Sequence, residues 1–429
     1  TPYEEKTNES FTGATVLDAQ KGAYMYDVVT GLDFASLYPT IMRAHNLCYN
    51  SIILHEKYKG IDPEEKTVDL GHKQVTFAQS KQGILPKLLE NLALSRKKAK
   101  KDMALAAKEG DKFKESLYNG KQLAFKVSMN SIYGFCAAFM LPCQEISAAV
   151  TTIGRQMIEE TKNYVEEHYE GSRVIYGDTD SVMVIFDTSK EKTIEDKLKK
   201  SFELGERASD EITKIFKRPI ELEMEKCYHP YLLFAKKRYA GKMYTKPEKH
   251  DYIDVKGLEL VRRDNPDFVK DVSKEVLDIL MFDSDVEKAK RYVKQFAKDL
   301  LNGKVPMHKM TVSKSLRDDY KNQNQPHIYV AKKIGERNPG SEPKSGDRVP
   351  YIFLEKESKG LLCEKAEDPK YAEDHNLKVD TLYYLDHCLI NPMCTLFEVF
   401  LKNPKKELFE DIRRKHTLGK NGKSIMFYL

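Results

Sequence analysis

The sequence predicts an α+β protein built as two or three lobes, and three observations carry this prediction. Two short β-branched runs flank a polar tetrapeptide in residues 173–186 (RVIYGDTDSVMVIF), which is the pattern of a tight β-hairpin. Residues 85–134 carry two helical repeats of apolar residues separated by a short break. The chain of 429 residues exceeds what one hydrophobic core usually organises.

The first predicted strand, at residues 26–32, runs directly into Asp33. Because Pro39 disfavours helical backbone at Tyr38, we expect the chain to bend there and to resume as a helix around residues 41–46. Asp33 is therefore placed at the end of a strand. The alternative is that it caps the helix that follows.

A helical hairpin is predicted next. Pro86 opens a helix that continues to Lys108, residues 109–111 (EGD) break it, and a second helix runs towards Gly134. Residues 85–126 hold eleven Lys and Arg against five acidic residues, a local charge of +6, whereas the net charge of the whole chain is +5. The charge of the remainder is therefore −1, and the cationic character of the chain is concentrated on this hairpin.

Five polar side chains of the hairpin share faces. Arg96 and Lys100 are four residues apart on the first helix, as are Lys126 and Asn130 on the second, and Gln122 precedes Lys126 by four. Such facing stripes would bind a polyphosphate, with Arg as a bidentate donor and Lys as a point charge. The alternative is a solvated outer face.

Helices are predicted at residues 147–168 and 194–216, on either side of the β-hairpin. After them, residues 220–225 alternate apolar and acidic, which predicts a strand with Glu221, Glu223 and Glu225 on one face. This face either contacts solvent or supplies a metal-proximal acid.

A basic run with an aromatic neighbour, residues 236–239 (KKRY), lies in a β-like context and suits either DNA contact or a surface strand. Beyond a domain boundary near residue 262 the pattern is mostly helical, with helices at residues 268–281 and 286–301.

The β-hairpin places Asp178 and Asp180 two residues apart, and like charges this close resist joint ionisation unless a cation neutralises them. An ordinary turn is the alternative. Combined with Asp33 and the cationic hairpin, these acids indicate two-metal phosphoryl transfer on Mg²⁺. The residues alone leave polymerase, nuclease and cyclase open.

Several classes are disfavoured. The seven cysteines lack a C-x-x-C pair and are expected to be reduced, without a disulfide framework or a zinc site. No run approaches the roughly 18–20 apolar residues of a membrane span, and the first residues (TPY) do not open a signal peptide, so we expect a protein that is neither membrane-bound nor secreted. The unusual start suggests a fragment or a processed piece.

Three motifs resemble the polymerase motifs of family B DNA polymerases, in the family's order: DFASLYP at residues 33–39, KVSMNSIYG at 126–134 and YGDTDS at 176–181. Further segments resemble the delta-type replicative catalytic subunit, and the similarity extends from Phe11 to about Met393. These segments are LPCQEIS at 141–147, KKRYAG at 236–241, RRDN at 262–265 and GDRVPY at 346–351.

The resemblance implies a right-hand architecture. An antiparallel-sheet palm would comprise residues 1–84 and 135–261, helical-hairpin fingers residues 85–134, and a mostly helical thumb with the C-terminal tail residues 262–429. It also implies template-directed addition of dNTPs to a primer 3′-hydroxyl with two Mg²⁺ ions, in DNA replication.

The same resemblance assigns site residues. Asp33 and Asp180 would be the principal Mg²⁺ ligands, Asp178 would support them, and Glu225 would be a further acid, with Glu223 as the second choice.

The resemblance also assigns residues to substrates. Tyr38 would be the steric gate against a ribose 2′-hydroxyl, and Tyr133 would back the nascent base pair. The incoming nucleotide would also contact Ser36, Leu37, Arg96, Lys100, Lys126 and Asn130. The primer–template DNA would contact Lys236, Lys237, Arg238, Tyr239, Lys256, Arg262 and Arg263.

The chain departs from the family pattern at both ends. No exonuclease domain precedes the palm and no cysteine-rich module follows the thumb, so we expect a fragment or split subunit from a large DNA virus, with proofreading on a separate exonuclease-bearing chain. A sliding clamp is a further expected partner, although the apolar residues 427–429 fit the usual spacing poorly. The expected location is the nucleus or a viral replication site in the cytoplasm.

Two rival interpretations remain. One is a catalytically silent, polymerase-like scaffold that binds DNA, which would not need the acids and cations of the motifs. The other is a reverse-transcriptase-like palm, which would carry adjacent acids at the hairpin, whereas Thr179 separates them here.

Overall fold

The computed structural model describes residues 16–138, 142–258, 265–355 and 360–416. The chain divides into two compact units. The first contains Tyr26–His229, Met243–Tyr252 and the described residues up to Gln20, and the second contains Lys21–Met25, Pro230–Lys242 and the described residues from Ile253 onwards.

The strands, in chain order, are β1 (Val16–Leu17), β2 (Gly22–Tyr24), β3 (Val29–Phe34), β4 (Ile52–Ile53), β5 (Glu65–Asp69), β6 (Gln74–Ala78), β7 (Arg173–Asp178), β8 (Ser181–Ile185), β9 (Leu222–Ala235), β10 (Arg238–Tyr244), β11 (Ile253–Lys256), β12 (Val312–Ser315), β13 (Arg348–Phe353) and β14 (Ala366–Glu367).

The α-helices are α1 (Leu37–Ala44), α2 (Ile84–Lys108), α3 (Lys112–Cys136), α4 (Gln144–His168), α5 (Ile194–Thr213), α6 (Asp267–Asp278), α7 (Val286–Leu301), α8 (Met307–Met310), α9 (Pro326–Arg337), α10 (Pro369–Asp374), α11 (Thr381–Tyr383) and α12 (Ile390–Phe397). Short 3₁₀ turns occur at Glu56–Tyr58 and Leu362–Lys365, and π-helical turns at Ile279–Asp283, Tyr384–Leu389 and Lys406–Glu410. No helix in the described ranges is both long enough and apolar enough to span a bilayer.

The first unit is organised on an antiparallel sheet with strand order β1-β7-β8-β3-β9. The β3 strand lies between β8 and β9, and its apolar residues are buried because helices cover the sheet. The apolar side of α4 that the sequence predicts is buried in this core, together with residues of α1 and α5. A second, three-stranded sheet has the order β4-β6-β5.

The predicted helical hairpin is present as α2 and α3, each 25 residues long. Gly110 adopts a positive φ of 73° in the three-residue turn, and the Asp111 side chain accepts a hydrogen bond from the Lys114 N–H at 3.0 Å, which caps α3. Leu89 and Met129 are buried in the core of the first unit and anchor the base of the hairpin.

The second unit has its own core, formed mainly by α6, α7 and α12, and a three-stranded sheet of order β12-β13-β14. The later part of β9 pairs with β2 and turns into β10 at Lys236 and Lys237. Glu367 is only 4% exposed and binds Arg337 at 2.9 Å and Lys333 at 3.3 Å, so this buried charge is paired.

Three local predictions need correction. The first strand begins at Val29 rather than at residue 26, and Tyr26 is 79% exposed. The helix after it begins at Leu37 rather than Ile41, because Pro39 lies in the first turn, where no backbone N–H is needed. The predicted acidic strand begins after Glu221, at Leu222.

Candidate active site

Asp33 and Asp180 are brought together by main-chain pairing. Asp33 lies one residue before the end of β3, opposite Ser181 of β8 and opposite Glu223 of β9. The Phe34 N–H donates a hydrogen bond to the carbonyl oxygen of Asp180 at 2.7 Å. The end of β3 is therefore fastened to the two-residue turn of the β7–β8 hairpin, and both acids lie at one edge of the sheet.

The chain turns sharply between β3 and α1. The Ala35 N–H donates to the Glu221 carbonyl at 3.0 Å, and Ser36 adopts a left-handed φ of 50° before the helix begins at Leu37. The first N–H groups of α1 have no partner within the helix, and such groups favour anionic ligands. The turn therefore presents hydrogen-bond donors beside the two acids.

The helical hairpin supplies cations to the same cleft. The Arg96 guanidinium donates to the Ser36 hydroxyl at 3.2 Å and to Gln122 Oε1 at 3.3 Å. Gln122 is 8% exposed and also donates to Asn119 Oδ1 at 3.0 Å, so its amide is held in one orientation. Arg96 is thus oriented by a buried residue of α3.

Tyr38 packs against Tyr133, with ring centroids 4.5 Å apart and an interplanar angle of 41°. Burial, followed by the neighbouring Tyr133, raises the pKa of Tyr38 to about 12. Burial also raises the pKa of Tyr133. Both phenols are therefore neutral at physiological pH, and the two packed rings form an aromatic part of the cleft lining.

These elements enclose a cleft of about 500 Å³. It is lined by Asp33, Phe34, Ala35, Ser36, Leu37, Tyr38, Pro39, Arg96, Lys100, Lys126, Asn130, Tyr133, Thr179, Asp180, Glu223 and Glu225. The cleft is therefore lined both by acids from the sheet and by three cations from the helical hairpin.

The acids in the cleft perturb one another. Burial, followed by the charges of Asp180 and Glu225, raises the pKa of Asp33 to about 7, and the positive charge of Lys226 opposes this shift. Burial also raises the pKa of Asp180, to which the charges of Asp178 and Glu225 contribute, and Lys126 opposes it. A divalent cation between Asp33 and Asp180 would relieve this repulsion.

The acids of the cleft suit Mg²⁺ only together with further ligands. Within the described part of the chain, no group of three or more His, Cys, Asp or Glu side chains is arranged to hold a metal ion. Mg²⁺ in phosphoryl-transfer sites is usually bound by one or two carboxylates plus substrate phosphates and water. Asp33 and Asp180 fit that pattern, because the cations that would bind the phosphates line the same cleft.

Some predicted site residues lie elsewhere. Asp178 does not line the cleft, and its carboxylate accepts a hydrogen bond from the Thr179 hydroxyl at 3.1 Å. Lys236, Lys237, Arg238, Tyr239 and Lys256 belong to the second unit. Within that unit Lys256 forms an ion pair with Asp254 at 3.1 Å. Arg262, Arg263 and residues 427–429 lie outside the described residues.

Two residues near the acids were not predicted. Thr179 lines the cleft from the hairpin turn, with a positive φ of 42°. Lys226 directly follows the predicted acidic strand, and its positive charge opposes the rise in the pKa of Asp33. The signal for Thr179 was its position between two acids, whereas nothing in the alternating sequence points Lys226 towards Asp33.

Comparison with known proteins identifies the family. The model of DNA polymerase family B matches residues 1–400. A DNA polymerase of Paramecium bursaria Chlorella virus NY2A is 43% identical over 93% of this chain and 44% of its own length. The DNA polymerase delta catalytic subunits of Candida albicans and Dictyostelium discoideum are 42% and 41% identical, over 94% and 92% of this chain.

The chain spans less than half the length of these relatives, 44% of the chlorella virus protein, 39% of the Candida albicans protein and 36% of the Dictyostelium discoideum protein. The match nevertheless covers almost all of this chain, including the three motifs and the cleft that they build. The family predicted from the motifs is confirmed, and the chain belongs to DNA polymerase family B.

Proposed function

We propose that this chain performs template-directed DNA synthesis, adding dNTPs to a primer 3′-hydroxyl in DNA replication. The observation that carries the proposal is the cleft that Asp33 and Asp180 line together with Arg96, Lys100 and Lys126. Acids that attract Mg²⁺ opposite cations that bind phosphates form the arrangement that nucleotidyl transfer requires.

In the proposed reaction the primer 3′-hydroxyl loses its proton to water, and its oxygen forms a bond to the α-phosphorus of the dNTP. The bond from that phosphorus to the bridging oxygen breaks, and pyrophosphate leaves. Arg96, Lys100 and Lys126 would bind the triphosphate and hold the α-phosphorus in line with the primer oxygen. Asp33 and Asp180 would hold two Mg²⁺ ions, which lower the pKa of the primer hydroxyl and neutralise charge on the leaving pyrophosphate.

Sugar selection is proposed to rest on Tyr38. Its ring packs on Tyr133 at a centroid distance of 4.5 Å and lines the cleft next to Ser36 and Leu37. Because both rings are half-buried, Tyr38 has little freedom to move away from a 2′-hydroxyl. Asn130 would support the nucleotide from α3.

The right-hand layout belongs to the same proposal. Residues 1–84 and 135–261 would form the palm, residues 85–134 the fingers and residues 262–429 the thumb and tail. The basic turn with Lys236, Lys237 and Arg238 would contact primer–template DNA, with Tyr239 and Lys256 beside it. A sliding clamp and a separate exonuclease-bearing chain are the proposed partners, at the nuclear or viral site where DNA is replicated.

Primer extension with Mg²⁺ and dNTPs tests the proposal. We expect extension by the unaltered chain and a loss of at least about 10³-fold in Asp180→Ala, since this variant lacks one of the two acids that would hold the Mg²⁺ ions. The matched control is Asp27→Ala, which removes an exposed carboxylate paired with Arg173 at 3.3 Å and should retain activity. DNA binding without Mg²⁺-dependent incorporation would instead favour the silent scaffold.

A further inference from the structure

The pairing of β3 with β9 contains a one-residue irregularity beside the acids. Gly31 lies opposite Lys226, whereas the next residue, Leu32, lies opposite Met224. Glu225 is therefore the extra residue of a β-bulge in β9. Bulges of this kind redirect the side chains that follow them.

The bulge decides which face of the sheet Lys226 occupies. Residues directly opposite one another in an antiparallel pair share a face, and alternate residues of one strand share a face. Gly31 and Asp33 are alternate residues of β3, so Lys226 lies on the face of Asp33. In an unbulged register Lys226 would lie opposite Thr30, which is completely buried.

Gly31 leaves room for the lysine. A Cβ atom at Gly31 would lie 3.3 Å from Cγ of Lys226 and 3.5 Å from Sδ of Met183, so the aliphatic part of Lys226 crosses the strand at the glycine. The Lys226 side chain is 17% exposed, and its Nζ lies 2.9 Å from Oε2 of Glu225. A lysine this enclosed is held in place rather than free in solvent.

The position of the ammonium matters for the acids. Asp33 and Glu225 line the cleft, and the charge of Lys226 favours the ionised form of Asp33. The ring centroid of Tyr228, two residues further along β9, lies 5.8 Å from Nζ. The Lys226 ammonium is therefore close both to Glu225 and to an aromatic ring of the same strand.

We propose that Lys226 is a positioning residue, a built-in counter-ion that the β-bulge sets among Asp33 and Glu225. It holds the acids together before substrates arrive, and its charge weakens metal binding in the absence of a nucleotide. The stabilising effect of Lys226 on the acids applies to the metal-free protein and does not depend on the proposed function. The effect of Lys226 on metal binding rests on the proposed function. Triphosphate, which adds negative charge, would then be needed for tight metal binding.

The test measures thermal unfolding in EDTA at pH 8 and Mn²⁺ binding without nucleotide, by calorimetry and by electron paramagnetic resonance. Lys226→Met keeps most of the aliphatic volume and removes the charge. We expect its Tm to fall by about 2–4 °C and its affinity for Mn²⁺ to rise by about 3- to 10-fold, since a repelling charge is lost.

Two variants serve as controls. Lys226→Arg keeps the charge and should restore most of both properties. Lys73→Met removes another lysine in an ion pair, which binds Glu145 at 2.8 Å outside the cleft, and should leave Mn²⁺ affinity unchanged. In the Asp33→Asn background, the Tm loss caused by Lys226→Met should shrink by at least about half, because one of the acids it balances is gone.

Three results would overturn the inference. One is an unchanged Tm and Mn²⁺ affinity in Lys226→Met, and another is an equal Tm loss in the presence and absence of Asp33→Asn, which would mean that Lys226 acts by packing. The third is weaker Mn²⁺ binding in Lys226→Met. Primer extension by the same samples reports separately on the proposed function. If the unaltered chain did not extend primers, the unfolding measurements in EDTA on Lys226→Met, with and without Asp33→Asn, would still test the counter-ion role.

Discussion

Asp33→Asn should make the metal-free protein more stable at pH 8 while removing its activity. The pKa of Asp33 is raised from 3.8 to about 7, chiefly by burial. Between these two values the folded protein binds more protons than the unfolded chain, so the contribution of Asp33 to stability falls as pH rises through this window. Above pH 7 the full cost of burying the ionised acid is present, and an asparagine does not incur it.

The size of the effect follows from the shift. Each pKa unit corresponds to about 1.4 kcal/mol, so a shift of about three units sets an upper limit of roughly 4 kcal/mol. Asp33 is only half-buried, and solvent screening reduces this limit. We therefore expect about 2 kcal/mol at pH 8, which corresponds to a rise in Tm of about 4–8 °C.

The assay is thermal or urea unfolding in EDTA from pH 4 to pH 8. The gain of Asp33→Asn over the unaltered chain should be largest at pH 8 and should vanish near pH 4. The matched control Asp27→Asn changes an exposed acid in a surface ion pair, and should alter stability by less than about 1 kcal/mol. A gain that does not depend on pH, or a loss at pH 8, would refute the reasoning.

Three further predictions concern the cleft. Tyr38→Ala should lower selectivity for dNTPs over rNTPs by at least about 10²-fold in kcat/KM, whereas Tyr38→Phe should retain it because the ring remains; equal selectivity in both would reject the gate. Gln122→Ala should raise the KM for dNTPs by about 3- to 10-fold by releasing Arg96, which Gln122 binds at 3.3 Å, and should have no further effect in Arg96→Ala. Asp178→Asn should retain markedly more primer extension than Asp180→Asn, since only Asp180 lines the cleft, and the reverse order would show that the roles are exchanged.

Local patterns predicted the elements whose structure depends on nearby residues. The β7–β8 hairpin follows from two β-branched runs around a polar turn, and the α2–α3 hairpin from apolar repeats around Gly110. The cations at Arg96, Lys100 and Lys126 were also readable, because helical spacing alone decides which residues share a face. The two hairpins supply seven of the sixteen residues that line the cleft, and the others come from residues 33–39 and from β9.

Long-range pairing could not be predicted in the same way. The bulge at Glu225 depends on how β9 aligns with β3, almost 200 residues earlier in the chain, and a period-two pattern cannot show where that alignment shifts. The predicted start of α1 was wrong because a residue before proline is only disfavoured in helical backbone, and proline itself is tolerated in the first turn of a helix. The assignment of Lys21–Met25 to the second unit likewise depends on pairing with a distant strand.

The bond from the Phe34 N–H to the Asp180 carbonyl has a consequence for sequence drift. It joins two main-chain groups, so no change of side chain at either residue removes it, except proline at residue 34, which has no N–H. Most point mutations around the two acids should therefore leave the distance between Asp33 and Asp180 unchanged. Neighbouring residues are free to vary in size and polarity, while the proposed reaction would require the identities of Asp33 and Asp180.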